Sequence, residues 1–230
     1  MFKPRKKITK KELKQDKLVT WYFEINDYIT KNQKLISTIG ISILVLILLV
    51  FFLFIKPQKE NEELASTALG NIIGFYDFRQ YQLAMEGIPE RNVIGLKKIV
   101  EEYGSTKAGE IAKIYLGNCY LVFKDYDNAL KCFDDFDGSE KLFKVSALAG
   151  KATVYEAKKQ YNEAAETFEK AASKASNELQ TPENLINAAR NYNLAGNKQK
   201  AIELIEKVKN DYPQSVYARD CDRYIAEYQD

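Results

Sequence analysis

Histidine does not occur in this 230-residue chain. Its absence removes the Ser-His-Asp triad, the Cys-His nucleophile, the HExxH zinc site and any imidazole pH switch. Cysteine is almost as scarce. Cys119, Cys132 and Cys221 stand far apart and are too few for a zinc site of four cysteines. Eleven glycines and five prolines leave little material for a turn-rich β fold and favour long helices. Charge of one sign is not in excess: 34 Lys and Arg face 32 Asp and Glu, a net of +2. That balance carries no footprint of a nucleic-acid binder. Carboxylates are plentiful but scattered. Asp134, Asp135 and Asp137 read as a solvated helix end, not as converging metal ligands or an acid–base pair. An enzyme is therefore the disfavoured reading, and no cofactor or metal is expected.

What is present is sharply local. Between Lys34 and Lys56 no residue is charged, and Ile39 to Ile55 (IGISILVLILLVFFLFI) is almost wholly apolar. As a helix, residues 35–55 span about 31 Å, which matches a hydrocarbon core of about 30 Å. A buried helix of a soluble domain is seldom this long and uniform. A cleavable signal peptide fits poorly, because the run exceeds an h-region and is followed by Lys56-Pro57-Gln58. The segment reads as an uncleaved anchor. Residues 1–34 hold ten basic and four acidic residues, a net of +6, whereas residues 56–230 are net −4. The positive-inside rule then puts the N-terminus in the cytoplasm and exports the C-terminal part, which in a Gram-negative bacterium places it in the periplasm.

The leader has a basic tail over residues 1–17, expected to be mobile and to contact anionic lipid. Residues 18–29 place Leu18, Trp21, Tyr22, Ile25, Tyr28 and Ile29 at helical spacing. Two readings stand: an interfacial helix with Trp21 and Tyr22 at the headgroups, or a simple extension of the membrane helix. In the span, Thr38 and Ser42 form one small-xxx-small pair, a weak signal for packing on another membrane helix. No ionisable residue marks an ion or proton path.

Beyond a polar linker at residues 56–63, three segments align at shifts of 35 and 37 residues. They are Leu116-Gly117, Tyr120, Ala129, Phe133; then Leu148, Ala152, Tyr155, Ala164, Phe168, Ala171; then Leu185, Ala189, Tyr192, Ala201, Ile205, Pro213. A small residue in a first helix and an alanine in a second let two backbones approach closely. Tyr and Phe fill the space between hairpins. Lys124-Asp125, Lys159-Gln160 and Gly196-Asn197 fall at the turns, and Thr181-Pro182-Glu183 reads as an N-cap with Pro at N1. This pattern resembles the tetratricopeptide repeat, although the motif's Trp is absent. Leu64 to Glu86 reads as one long helix and Val93 to Tyr103 as another, together a degenerate first hairpin. Residues 214–228, with Val216, Tyr217, Cys221, Tyr224 and Ile225 on one face, read as a capping helix. The chain is thus expected to be all-α: one N-terminal transmembrane helix, then a tetratricopeptide-repeat-like α-solenoid over residues 64–230, of about four hairpins and a C-terminal capping helix.

The layout also resembles the YfgM-like family. The residues that carry this are Gly95-Leu96, Ile99, Tyr103, Gly104-Ser105-Thr106-Lys107-Ala108-Gly109, then Ala112, Tyr115, Gly117 and Tyr120, with Asp125-Tyr126-Asp127-Asn128-Ala129 later. The leader is longer and more basic than that family's. The resemblance implies an ancillary subunit of the Sec translocon, associated with SecYEG and with a membrane-anchored periplasmic chaperone of the peptidyl-prolyl isomerase type. A tethered adaptor for cell division or outer-membrane assembly is the alternative.

Tetratricopeptide solenoids bind partners in a concave groove lined by their first (A) helices. The resemblance assigns that groove to Ile114, Asn118 and Leu121; Ala149, Thr153 and Glu156; and Ile186, Arg190 and Asn193. The lysine by which some family members clamp a C-terminal carboxylate is missing. Arg190 with Asn193 is the pair that can hold a carboxylate or peptide backbone; ordinary solvated groove residues are the alternative. Cys119 and Cys132 adjoin motif aromatics, and burial as free thiols is expected over a disulfide between them.

Overall fold

A computed structural model describes residues 17–52, 56–175 and 179–229. The basic residues 1–16 and the last three residues of the expected span, 53–55, lie outside these. The chain divides into two compact units, Met1–Pro57 and Gln58–Asp230.

The first unit holds helices α1 (Lys17–Lys31) and α2 (Gln33–Val50). Only Asn32 interrupts them. Its N–H still donates to the Tyr28 carbonyl, and its own carbonyl accepts from Ile36 N–H. The 18 residues of α2 are long and apolar enough to cross a membrane, and none of them is buried. Ser37, Thr38 and Ser42 donate their hydroxyls to carbonyls one turn earlier, so the helix satisfies its own polar groups.

The second unit stacks four helical hairpins. Their A helices are α3 (Lys56–Asp77), α6 (Lys107–Val122), α8 (Lys141–Ala157) and α10 (Gln180–Leu194). Their B helices are α4 (Tyr81–Glu86), α7 (Tyr126–Asp134), α9 (Tyr161–Lys174) and α11 (Lys198–Asp211), and α12 (Cys221–Gln229) closes the stack. Between the first two hairpins the chain inserts β1 (Gly87–Ile88), β2 (Val93–Ile94) and α5 (Leu96–Tyr103). The two strands pair antiparallel, Gly87 with Ile94 and Ile88 with Val93.

One turn recurs at all four A–B junctions. Arg79, Lys124, Lys159 and Gly196 adopt left-handed backbone, with φ of 58°, 60°, 60° and 86°. At the first, Arg79 N–H donates to the Tyr76 carbonyl and Gln80 N–H to the Phe75 carbonyl. The same pair of bonds closes the other three turns, with Tyr120, Tyr155 and Tyr192 in the place of Phe75. These bonds satisfy carbonyls at the helix end that would otherwise lack partners.

This register revises the first hairpin. Leu64 to Glu86 is not one helix but two, broken at Phe78–Gln80, and Val93 to Tyr103 begins as a strand. Nothing at the break is Gly or Pro, so the sequence carries no obvious stop signal. Ile72 stands where Gly117, Ala152 and Ala189 stand, and Ala84 follows it by the same interval as Ala129, Ala164 and Ala201 follow theirs. Residues 56–63 are not a linker but the first two turns of α3. Glu62 fixes them by accepting Lys107 N–H at 2.6 Å and Ala108 N–H at 3.3 Å, so an acid caps the positive end of α6. Two smaller boundaries also shift. Thr181 lies inside α10 and is buried, not an N-cap, and residues 216–220 form a 3-10 turn that leaves Val216 exposed.

The core forms three successive clusters, as expected of a stack in which each hairpin touches its neighbours. Phe133 shows the packing rule. Its ring lies against Gly117 of its own hairpin and Gly150 of the next, so neither position has room for a Cβ.

Candidate functional site

The common turn brings the A helices into one register, and two positions then meet across the first and third A–A boundaries. The residue four beyond the small residue of one A helix faces the residue one beyond it in the next. In the first pair, Asn118 Nδ2 donates to Tyr76 Oη at 3.3 Å. Tyr76 is packed edge-on by Tyr115, with ring centroids 4.8 Å apart, and by Tyr81 at 5.5 Å. Burial raises its hydroxyl pKa, and the Asn118 hydrogen bond opposes that shift. In the third pair, Arg190 Nη2 donates to Glu156 Oε1 at 3.0 Å and Oε2 at 2.8 Å. Asn191 Nδ2 adds a third donor to Oε2 at 2.8 Å and also donates to the Asn187 carbonyl. Leu121 and Thr153 occupy the corresponding positions between these two pairs.

The expected groove residues therefore divide. Asn118, Thr153, Glu156, Arg190 and Asn193 remain accessible to different degrees and make the surface polar. Ile114 is only 7% exposed and packs with Ala129, Phe133, Ala147 and Val154, so it is core and not groove. Leu121 and Ile186 are half-buried against neighbouring hairpins for the same reason. Arg190 pairs with Glu156 across the helix boundary, so its charge is already answered from within the chain.

Two residues of this surface escape the sequence reading. Tyr76 is a groove residue of the first hairpin, hidden by the missed turn at Arg79. Asn191 is completely buried beside Arg190, and its Oδ1 has no hydrogen-bond partner among the described residues. Its place next to Arg190 carried no signal, because an asparagine in a helix interior ordinarily points outward.

Elsewhere, Trp21 and Tyr22 are largely exposed on α1 of the first unit. Cys119, Cys132 and Cys221 are buried free thiols. Burial pushes Cys119 up to about 12 and Cys132 to about 11, so both resist forming the reactive thiolate. Among the described residues no group of three or more Cys, Asp or Glu side chains could hold a metal ion.

Comparison with known proteins agrees with this geometry. Residues 183–215, which cover most of α10 and all of α11, match the tetratricopeptide repeat family. Among solved structures, the chain is similar to a protein of Podosopora anserina described as a kinesin light chain with nearly identical TPR-like repeats, and to a variant of it. In each case the TM-score is 0.52 at 17% identity, over 74% of this chain and 84% of that one. That likeness shows the fold: an all-α, tetratricopeptide-like solenoid. No curated protein matches the chain.

Proposed function

We propose that this chain is a membrane-anchored interaction protein whose solenoid presents a polar A-helix surface to a protein partner. The observation that carries the reading is the shared register of the four A helices. It lines up Tyr76, Asn118, Thr153, Glu156 and Arg190 along one face, and a repeat stack of this kind offers an extended docking surface without catalytic groups. Helix α2, uncharged from Leu35 to Val50, supplies the anchor. The +6 leader puts the N-terminus in the cytoplasm of a bacterial inner membrane and the solenoid in the periplasm.

The resemblance to the YfgM-like family gives the finer assignment: an ancillary subunit of the SecYEG translocon that links it to a membrane-anchored periplasmic chaperone of the peptidyl-prolyl isomerase type. The tagged full chain, recovered from membranes in mild detergent, tests this. Co-purification of the Sec channel and such a chaperone is the expected result. Recovery of division or outer-membrane assembly machinery instead would replace that assignment while keeping the interaction role. Protease added to spheroplasts should digest the solenoid and leave the leader protected; the reverse pattern would invert the topology.

A further inference from the structure

The face of α8 turned away from the groove lines a second cleft. At 3.6 residues per turn, the stripe of Lys144, Ala147, Leu148 and Lys151 is centred roughly 160° around α8 from the midpoint of Thr153 and Glu156. Together with the end of α7 and the last turns of α9 they bound a cleft of about 310 Å³. Its apolar lining is Phe133, Phe136, Ala147 and Leu148, and its charged lining is four lysines and two aspartates. Lys151 is engaged by Asp134. Lys144, Lys170 and Lys174 have no ion-pair partner among the described residues.

Three exposed lysines from two facing helices, with no ion-pair partner among the described residues, thus line one cleft with an apolar floor. Lys170 and Lys174 are also four apart on one helix, a spacing at which like charges repel. The negative end of α9 offsets part of that repulsion, but it does not reach Lys144 on α8. An anion seated among the three relieves the remainder.

We infer that this cleft docks an acidic peptide segment of a partner protein, with carboxylates on Lys144, Lys170 and Lys174 and an apolar side chain on the Phe136–Leu148 floor. Asp137 on the rim argues against a uniform polyanion, which would meet a carboxylate wherever it ran. A peptide can present an N–H or a lysine there instead. The site lies wholly within α7–α9, so it depends neither on the groove nor on the anchor.

The test uses the full chain in neutral detergent and a fluorescent peptide of alternating Glu and Leu, read by anisotropy. The expected result is saturable binding that weakens with salt and is lost when every Glu is replaced by Gln. Lys170→Glu with Lys174→Glu should weaken it about tenfold or more, Lys144→Glu should weaken it too, and Lys198→Glu, an exposed lysine on α11, should leave it within about twofold. If the double charge reversal unfolds the chain, Lys170→Gln with Lys174→Gln takes its place, and thermal unfolding of each variant separates the two effects. Equal binding of the Gln peptide, equal loss in Lys198→Glu, or polyphosphate binding that exceeds peptide binding and is lost on Lys170→Glu with Lys174→Glu would each overturn the proposal.

Discussion

Glu156 of one A helix holds Arg190 of the next: a single guanidinium nitrogen, Nη2, donates to both carboxylate oxygens, at 3.0 and 2.8 Å. Asn191 shares the second oxygen from a position with no exposure to solvent. The pair itself is not buried, since the Arg190 side chain is 49% exposed and that of Glu156 27%. It therefore contributes at most about 1 kcal/mol to stability. Its larger effect is on the charge of the A-helix face, where Glu156 neutralises the Arg190 cation.

Arg190→Glu separates these roles. It sets two carboxylates against each other on the surface, so unfolding free energy should drop by about 1 kcal/mol or less, because solvent screens exposed charges. Recovery of the partner in mild detergent should fall. Unchanged recovery would remove Arg190 from the docking surface, and a collapse of stability would make its role structural.

Asn191 gives a different expectation. A buried acceptor left without a donor costs about 1–3 kcal/mol, and replacing it by an apolar group of similar shape removes that cost. Asn191→Leu removes that cost together with two donated hydrogen bonds, to Glu156 and to the Asn187 carbonyl, so stability should change by about 1 kcal/mol or less while Glu156 moves more freely. Urea unfolding reads the first effect and partner recovery the second. Strong destabilisation would mean that Oδ1 is satisfied in solution, by water for instance.

Phe133 makes two glycines indispensable. Alanine in a helix interior is normally better than glycine by about 1 kcal/mol. At Gly117 an added Cβ would stand 2.8 Å from the Phe133 ring, and at Gly150 it would stand closer still. The sign should reverse, with Gly117→Ala and Gly150→Ala each losing about 1–3 kcal/mol through overpacking. Combining either with Phe133→Leu should recover part of the loss. Purely additive effects in that double-mutant cycle would sink the account.

Most of this architecture was legible because the repeat is written in buried residues. Gly117, Ala152 and Ala189, with Tyr120, Tyr155 and Tyr192, keep their intervals since close backbone contact admits few alternatives. The first hairpin was illegible for two physical reasons. Ile72 replaces the small residue, and the turn at Arg79 uses an arginine where a glycine would have announced it. The A-helix face was legible by position but not by its contacts. Spacing brings Ile114 to the A-helix face, yet only three dimensions show that the next hairpin covers it. The Glu156–Arg190 pair spans 34 residues and joins two different repeats, so no local pattern marks it.

The four A–B turns allow a further check. Arg79, Lys124 and Lys159 hold left-handed backbone that costs an L-residue roughly 1 kcal/mol and glycine almost nothing. Lys124→Gly and Lys159→Gly should each stabilise the solenoid by about 0.5 kcal/mol or less, the unfolded state's gain in freedom offsetting the rest. Gly196 has φ of 86° and open space around its Cβ position. Gly196→Ala should therefore destabilise by about 1 kcal/mol through backbone alone. Thermal unfolding of the three variants tests the signs, and a loss at Lys124 or a gain at Gly196 contradicts the shared turn.

The alkaline limb of stability should depend on Tyr192. Burial and its hydrogen bond to Glu169, at 3.1 Å, raise its hydroxyl from 10.0 to about 12. Below the unfolded value both states keep the proton and pH has no effect through this group. Above it the unfolded chain releases a proton that the folded chain retains, so stability falls as pH rises from 10.0 to about 12. Cys119 and Cys132 act in the same direction from a lower start, 9.0, towards about 12 and about 11. Tyr192→Phe loses one hydrogen bond and should be less stable by about 1 kcal/mol at neutral pH. Its urea midpoint should nevertheless decline less steeply than that of the parent above pH 10.0, because the titrating group is gone. Parallel declines in the two proteins would show that Tyr192 keeps an ordinary hydroxyl, and the slope would then belong to the cysteines or to the remaining tyrosines.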